Sequence, residues 1–596
     1  MNRQVMQRVL QRRWSLGCTL AVLAMLSGCR LHRNWRPPLV LPPAEHRSTA
    51  VPFTTHEAAE QSYAKAFQLE AADRPECVDE YYRAATWAWL AVEESGGAAS
   101  PAASRSCTLY RSALTKLLVA AHRFDRWDSR RGLLVAGPAG LAPVSASYRG
   151  FAWSPCDFNQ LVPVGEYSSP ELSHQYRSNG LGVPLVVIRR SATTEGFLQR
   201  EQPFAATVVL RPTAPIDDEL TGAGPPTLPF RLEFYNPLHA AAATPGEPTP
   251  CHSPVPIARD LTAPLAYRTR NADQRWLQAF LRPGAGGSGD GLFMIEPYQR
   301  GKIPVVFVHG LLSDPQTWTD MANELRAQPD LVEGCQLWGF HYDTGEPFFE
   351  SAAVLRRQLR QIRAVYDPQG TDPAMAQMVL VGHSLGGLVS KLQVVHSGDQ
   401  LWNSVAGRPL SQIHTREQTR ARLAAALFFD PNPNISRVIF IGTPHQGSNL
   451  ASRTLGRLGS ALVEPPAQTE QRHRQLIDDN PGVFSEELVR RFPTSIDLLE
   501  PDSPLLRATA KLPFRDGVAF HSVCGVIDKP GIGGPTDGVV PLHSARLIGA
   551  CSEKRVDSFH TRLTRSPATV HEVTRILRLH LRETMHSGRM TAQRGA

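Results

Sequence analysis

The chain lacks most of what would mark a nucleic-acid binder, a membrane-spanning protein or a cofactor enzyme. No apolar run reaches the length needed to cross a bilayer. The N-terminal stretch Leu16 to Leu26 would rise only about 16 Å as a helix. Net charge is +8 over 596 residues. Removal of residues 1–28, which hold four arginines and no acidic residue, leaves +4. That balance is too mild for a nucleic-acid footprint. Walker and dinucleotide fingerprints are absent, and no cysteine pair has zinc-ribbon spacing. His571-Glu572-Val573-Thr574-Arg575 lacks the second histidine of a zinc protease helix. Neither a metal nor a cofactor is expected.

Proline is plentiful, with 49 residues, and hydrophobic content is 42%, an ordinary globular value. That length implies two to four domains with at least one sizeable core. Arg3, Arg8, Arg12 and Arg13 precede the short apolar run as a basic region, which is the pattern of a secretory signal. The run ends Leu26-Ser27-Gly28-Cys29 and resembles the lipobox of bacterial lipoproteins. The resemblance implies cleavage before Cys29, acylation of that cysteine, and a membrane anchor. Arg30 follows instead of an aspartate, so the expected place is the cell envelope, on the periplasm-facing outer membrane. In an exported chain disulfides are allowed, and Cys77–Cys107, Cys156–Cys251 and Cys524–Cys551 are expected pairs, with Cys335 left free and buried.

Read in order, residues 1–28 are a signal peptide and 29–56 a proline-containing tether. Residues 57–149 read as a small helical domain with aromatic and apolar positions at helical spacing, among them Tyr63, Tyr81, Trp89, Tyr110 and Leu114. Those helices could take a protein partner, although such stripes are more often core. Residues 150–283 read as a β-rich domain with long loops, its strands near Leu181–Arg190, Phe204–Leu210 and Phe230–Tyr235. Residues 290–585 alternate strand and helix, with strands at Ile303–Val308, Leu337–Phe340, Met378–Val381, Arg437–Ile441 and Phe520–Ile527. The expected fold is α/β, a mostly parallel sheet with helices on both faces, preceded by the two smaller domains.

Gly382-His383-Ser384-Leu385-Gly386 lies where a strand runs into a helix. In that context Gly-x-Ser-x-Gly places a serine on a tight turn with its Oγ exposed. With 45 glycines the bare pattern arises by chance about 0.2 times per chain, so its partners must decide. A serine nucleophile needs a base, a group to orient the base, and donors for an oxyanion. His309-Gly310-Leu311 ends the first strand of this block, which offers the Leu311 amide together with that of Leu385 as donors. His309 precedes the serine and reads as structural. Asp537, in Thr536-Asp537-Gly538-Val539-Val540-Pro541, is the expected acid, ahead of Asp528 and Asp557. The lesser reading is that it closes an Asp-Gly turn. His560 lies in a loop before the last helix and is preferred as base over His571, which falls off that helix's apolar face.

The order Ser384, Asp537, His560 is that of α/β-hydrolases. Together with Val305–Leu311, Gly382–Gly387, Gly442-Thr443-Pro444-His445-Gln446-Gly447-Ser448 and Thr536–Pro541, it resembles α/β-hydrolase lipases and esterases of the GPI inositol-deacylase-like type. The resemblance spans Leu292 to Leu581. It implies a serine hydrolase that cleaves carboxylic esters, lipid esters foremost. Acyl transfer or amide hydrolysis would use the same three residues. A membrane-anchored scaffold with a degenerate hydrolase body is the other class considered. Arg420–Phe429 and Leu450–Leu512 are the segments expected to cap the serine, either as a mobile lid or as packed helix.

Overall fold

The first helix starts where Thr54 and Glu57 form a capping box, each satisfying an amide at the other's position. Helices α1 (Thr55–Ala71), α2 (Cys77–Glu94) and α3 (Pro101–Arg123) follow. The structure, a computed structural model, describes residues 54–95, 101–166, 172–191, 196–199, 201–213, 229–239, 257–271, 291–311, 313, 315–344, 346–448, 467–490, 494–527 and 534–594. Residues 1–53, which hold the signal-peptide segment, Cys29 and most of the expected tether, lie outside these residues, and the tether's last two positions, Thr55 and His56, are helical.

The helical pattern stops at Arg123 and strand structure begins at Trp127, so 127–149, expected to belong with the helices, is β. A three-stranded antiparallel meander over 127–144 leads into a five-stranded sheet. Its strands are β1 (Ala146–Arg149), β2 (Gln160–Pro163), β3 (Val183–Arg190), β4 (Glu201–Pro212) and β5 (Phe230–Tyr235), in the order β1-β5-β4-β3-β2. Strand alternation decides which face meets the helices. Val183, Leu185 and Val187 join the helix residues Tyr81, Trp89, Tyr110 and Leu114 in one core. Val186 and Ile188 turn to the opposite face with Ala263 and Tyr267. The Tyr110 hydroxyl pins helix to strand, donating to the Leu210 carbonyl at 2.9 Å and accepting the Leu210 amide at 2.8 Å. Helices and sheet thus bury each other's apolar faces in a single two-layer core.

The second sheet has seven strands: β6 (Gly291–Met294), β7 (Ile303–Val308), β8 (Cys335–His341), β9 (Met378–His383), β10 (Ile435–Ile441), β11 (Ala519–Gly525) and β12 (Ser552–Val556), in the order β6-β8-β7-β9-β10-β11-β12. Only the β6–β8 pair is antiparallel. On one face Ile303, Val305 and Phe307 pack under α4 (Thr319–Arg326) and the last helix, through Met321, Leu325, Val573, Ile576 and Leu577. On the other, Val306 and Val308 meet α5 (Phe348–Tyr366) and α6 (Leu385–Lys391), through Leu355, Leu359, Leu385 and Leu388. This is the α/β-hydrolase fold. Residues 51–596 form one compact unit. The two halves are tied at α4, where Asp320 accepts the Ser173 amide at 3.0 Å and Asn323 donates to the His174 carbonyl at 2.9 Å.

Two expected disulfides do not form, and geometry says why. Cys77, Cys524 and Cys551 are free thiols, so neither Cys77–Cys107 nor Cys524–Cys551 is bridged. Cys524 is in register with Arg555, whereas the Cys551 amide donates to Phe520. Four residues along a strand separate the pair by about 13 Å, beyond disulfide reach. Cys77 opens α2, while Cys107 lies in the first third of α3. In an antiparallel pair of helices those positions are many ångströms apart. Cys335 is free and buried; Cys156 is free, and Cys251 lies outside the described residues.

Candidate active site

Strand β9 is buried along its whole length and ends in Ser384, which opens α6. Ser384 has φ 54° and ψ −123°. Only Asp73 and Asp125 share a positive φ among the described residues other than glycine. Such a conformation costs about 1–3 kcal/mol, so the surroundings must enforce it. They do so by close packing. A Cβ on Gly382 would lie 2.6 Å from the Gly386 carbonyl oxygen, and one on Gly386 would lie 2.3 Å from those of Val308 and His309. The Ser384 amide donates to Ile441 at 2.9 Å. Its side chain does not cap α6, so the hydroxyl is not spent on its own helix.

Asp537 follows β11 in a tight loop and is 1% exposed. One carboxylate oxygen, Oδ1, accepts the amides of Val539 at 2.9 Å and Val540 at 2.7 Å. The other, Oδ2, accepts from His560 Nδ1 at 2.6 Å. The turn and the acid are therefore the same residue, one oxygen for each. The His560 amide donates to the Asp537 carbonyl at 3.0 Å, which fixes the ring's backbone as well. Because Nδ1 carries the proton to a carboxylate, Nε2 is left as the ring's acceptor. A Cβ on Gly442 would lie 3.2 Å from His560 Nδ1 and 3.3 Å from Asp537 Oδ2. Gly442 directly follows Ile441, the residue that accepts the Ser384 amide, so one strand end meets both the serine's main chain and the Asp537–His560 pair.

Gly310 closes the other side, its missing Cβ 2.9 Å from that of Ser384. The amides of Leu311 and Leu385 make no hydrogen bond among the described residues. Leu385 is the first residue of α6, where an amide has no partner within the helix and the helix dipole favours negative charge. His309 is structural: its ring is buried, stacks on Tyr342 at 4.5 Å and accepts the Tyr342 amide at 3.3 Å. Tyr342 in return donates its hydroxyl to the His309 carbonyl at 2.8 Å.

Other sequence candidates stay apart. Asp557 and His571 are exposed, and Asp528 lies outside the described residues. Of the expected cap segments, Arg420–Phe429 falls largely in α7 (Glu417–Leu427), which packs against α5. Arg422 pairs with Glu350, and the Arg356 guanidinium donates to the Ala425 carbonyl at 2.9 Å and covers the Phe429 ring at 3.7 Å. The second segment is helical at Ala467–Asp478, Glu486–Arg490 and Pro504–Lys511, and 449–466 lie outside the described residues. Among the described residues no group of His, Cys, Asp or Glu is arranged to hold a metal ion, and no helix is long and apolar enough to cross a membrane.

One neighbour of the site escaped the sequence reading. His383, inside the pentapeptide, reaches the His560 carbonyl with Nε2 at 3.2 Å. Burial, reinforced by the neighbouring His560, holds its pKa well below the usual imidazole range.

Residues 299–406 match the model of the PGAP1-like alpha/beta domain. Comparison with curated protein sequences yields no match. Among solved structures, the lipase BlEst2 of Bacillus licheniformis in its mature form is 19% identical, with 49% of this chain and 99% of that one covered and a TM-score of 0.30. EstA from Clostridium botulinum is 14% identical over 48% and 88% of the two chains, TM-score 0.30. Phospholipase PlaB from Legionella pneumophila is 15% identical over 48% and 62%, TM-score 0.30. At such identities and TM-scores the fold assignment rests on the sheet order and the serine turn.

Proposed function

We propose that the chain is a serine hydrolase of carboxylic esters, with Ser384 as nucleophile, His560 as general base and Asp537 as the group that orients it. The observation that carries this reading is the 2.6 Å bond between His560 Nδ1 and Asp537, beside a serine held in a strained turn. In the reaction His560 Nε2 takes the Ser384 proton as Oγ attacks the ester carbonyl. The oxyanion is met by the Leu311 and Leu385 amides, and His560 returns the proton to the leaving alcohol. Water then repeats the cycle on the acyl-enzyme. The Asp537 carboxylate holds the ring by its Nδ1 and stabilises the imidazolium. Lipid esters are the proposed substrates, and the lipobox-like Leu26-Ser27-Gly28-Cys29 supports an acylated chain that meets them at the cell envelope.

A fluorophosphonate probe tests the nucleophile. It should label Ser384 in the folded protein and leave Ser384→Ala unlabelled; an unlabelled wild-type chain beside a labelled control hydrolase sinks the reading. An acyl-chain series of p-nitrophenyl esters and phospholipids then separates esterase from lipase. For the anchor, globomycin should block processing at Cys29, and a mature chain that partitions into water would refute it.

A further inference from the structure

We propose that His383 is a positioning residue: its Nε2–H donates to the main-chain carbonyl of His560 and braces the base against the nucleophile strand. The proposal rests on the triad reading above. The carbonyl can only accept, so at 3.2 Å the proton must sit on Nε2. His383 Nδ1 is then bare, and it is buried without a partner among the described residues. It faces the oxyanion loop, 3.1 Å from where a Gly310 Cβ would stand. The ring is 6% exposed. It lies 4.8 Å from the His560 ring and meets the Trp318 ring edge-on at 6.4 Å. Little room is left for another orientation.

Both main-chain groups of His560 are therefore fixed from opposite sides. Its amide is held by the Asp537 carbonyl at 3.0 Å and its carbonyl by His383. One brace comes from the acid loop, the other from the residue next to the nucleophile. A base that must pass a proton between Oγ and a leaving group loses rate when displaced by even an ångström. A neutral donor suits this place. Burial keeps His383 uncharged, so no second positive charge stands beside the imidazolium that His560 becomes.

The test uses the full chain with His383→Gln, whose amide nitrogen can replace Nε2 as donor, and His383→Leu, which fills the space without a donor. His383→Asn, whose shorter amide falls near Nδ1, serves as a second donor-deficient variant if the leucine variant does not fold. With p-nitrophenyl esters, loss of the donor should lower kcat about tenfold with KM changed less than about twofold, and Gln should rescue kcat to within about threefold. The acid limb of kcat/KM should also move in the Leu or Asn variant, because the His560 environment has changed. A folded Leu or Asn variant with wild-type kcat overturns the proposal, as does a Gln variant as damaged as Leu. Failure of the triad reading shows separately: Ser384→Ala would then keep wild-type turnover whatever His383 does.

Discussion

Strand β10 ends in two polar environments that look alike in composition and differ in kind. At its carboxyl end, Ile441 holds Ser384 and Gly442 abuts Asp537 and His560. About 13 Å back along the strand, Arg437 is buried among two histidines and a glutamate. Its guanidinium donates to His580 Nδ1 at 3.2 Å, to His521 Nε2 and to Glu583. His580 Nε2 donates onward to the Gln377 carbonyl at 2.9 Å, and His521 Nδ1 to the Ser552 hydroxyl at 2.7 Å. Every nitrogen of these two rings is used, and no residue other than glycine there has a positive φ. The carboxyl end instead keeps a strained serine and, among the described residues, two amides without partners and a bare His383 nitrogen. Buried histidines beside charges do not by themselves mark chemistry; strain and donors left waiting do.

Paired substitutions would break that contrast or sharpen it. Asp537→Asn should lower kcat about 10⁴-fold by allowing the wrong His560 tautomer, while the urea midpoint stays close to wild type because Asn Oδ1 still accepts the Val539 and Val540 amides. Arg437→Met should do the reverse. It strands the acceptors of His521 and His580 and costs about 3 kcal/mol of unfolding free energy, with kcat per folded molecule within about twofold. Kinetics and urea titration on the same preparations check both. A folded Arg437→Met protein with kcat down a hundredfold would mean the two ends are not separate.

What could be read from the sequence follows the same division. Strand β7 falls at Ile303–Val308 as the apolar run predicts, and the other four expected strands of that sheet are present with ends shifted by one or two residues. Continuous β-branched runs between helices leave few alternatives. Antiparallel β6 is four residues long, too short for a periodicity to register. The shared core of helices and first sheet was missed because local periodicity says which face is apolar, not what covers it. Ser384, Asp537 and His560 are proposed from their order and loops, and the bond between His560 and Asp537 supports that pair. His383 was not legible in the sequence, because its partner is a main-chain carbonyl 177 residues away and such contacts leave no trace in residue type. The two expected disulfides that do not form have a related reason: cysteine spacing carries no register.

The smallest effect, and the finest test of the contrast, is in pH. Burial first, then Arg437 and Arg575, lower the His521 pKa to about 4 from an ordinary 6.5. His580 is lowered too, by burial first and then by Arg437, against the Gln377 carbonyl, which favours its proton. Glu572 opposes the His521 shift and Glu583 the His580 shift. Between those values the unfolded chain binds a proton that the folded chain does not, so stability rises with pH there. The contribution is whole above pH 6.5 and is lost as pH falls from 6.5 toward 4, at about 1.4 kcal/mol per pH unit for one such group. Unfolding free energy measured in urea at pH 7, 6 and 5 should decline at least this steeply for the wild type, in which His580 and His383 are lowered too, and on a slope about one proton shallower for His521→Asn. Glu572 lies within the network and its pKa is lowered, but a carboxylate of that kind acts below the window for His521. An unchanged slope in His521→Asn would show that this histidine is not the group that titrates, and would leave Arg437 a packing element rather than the centre of a proton-linked network.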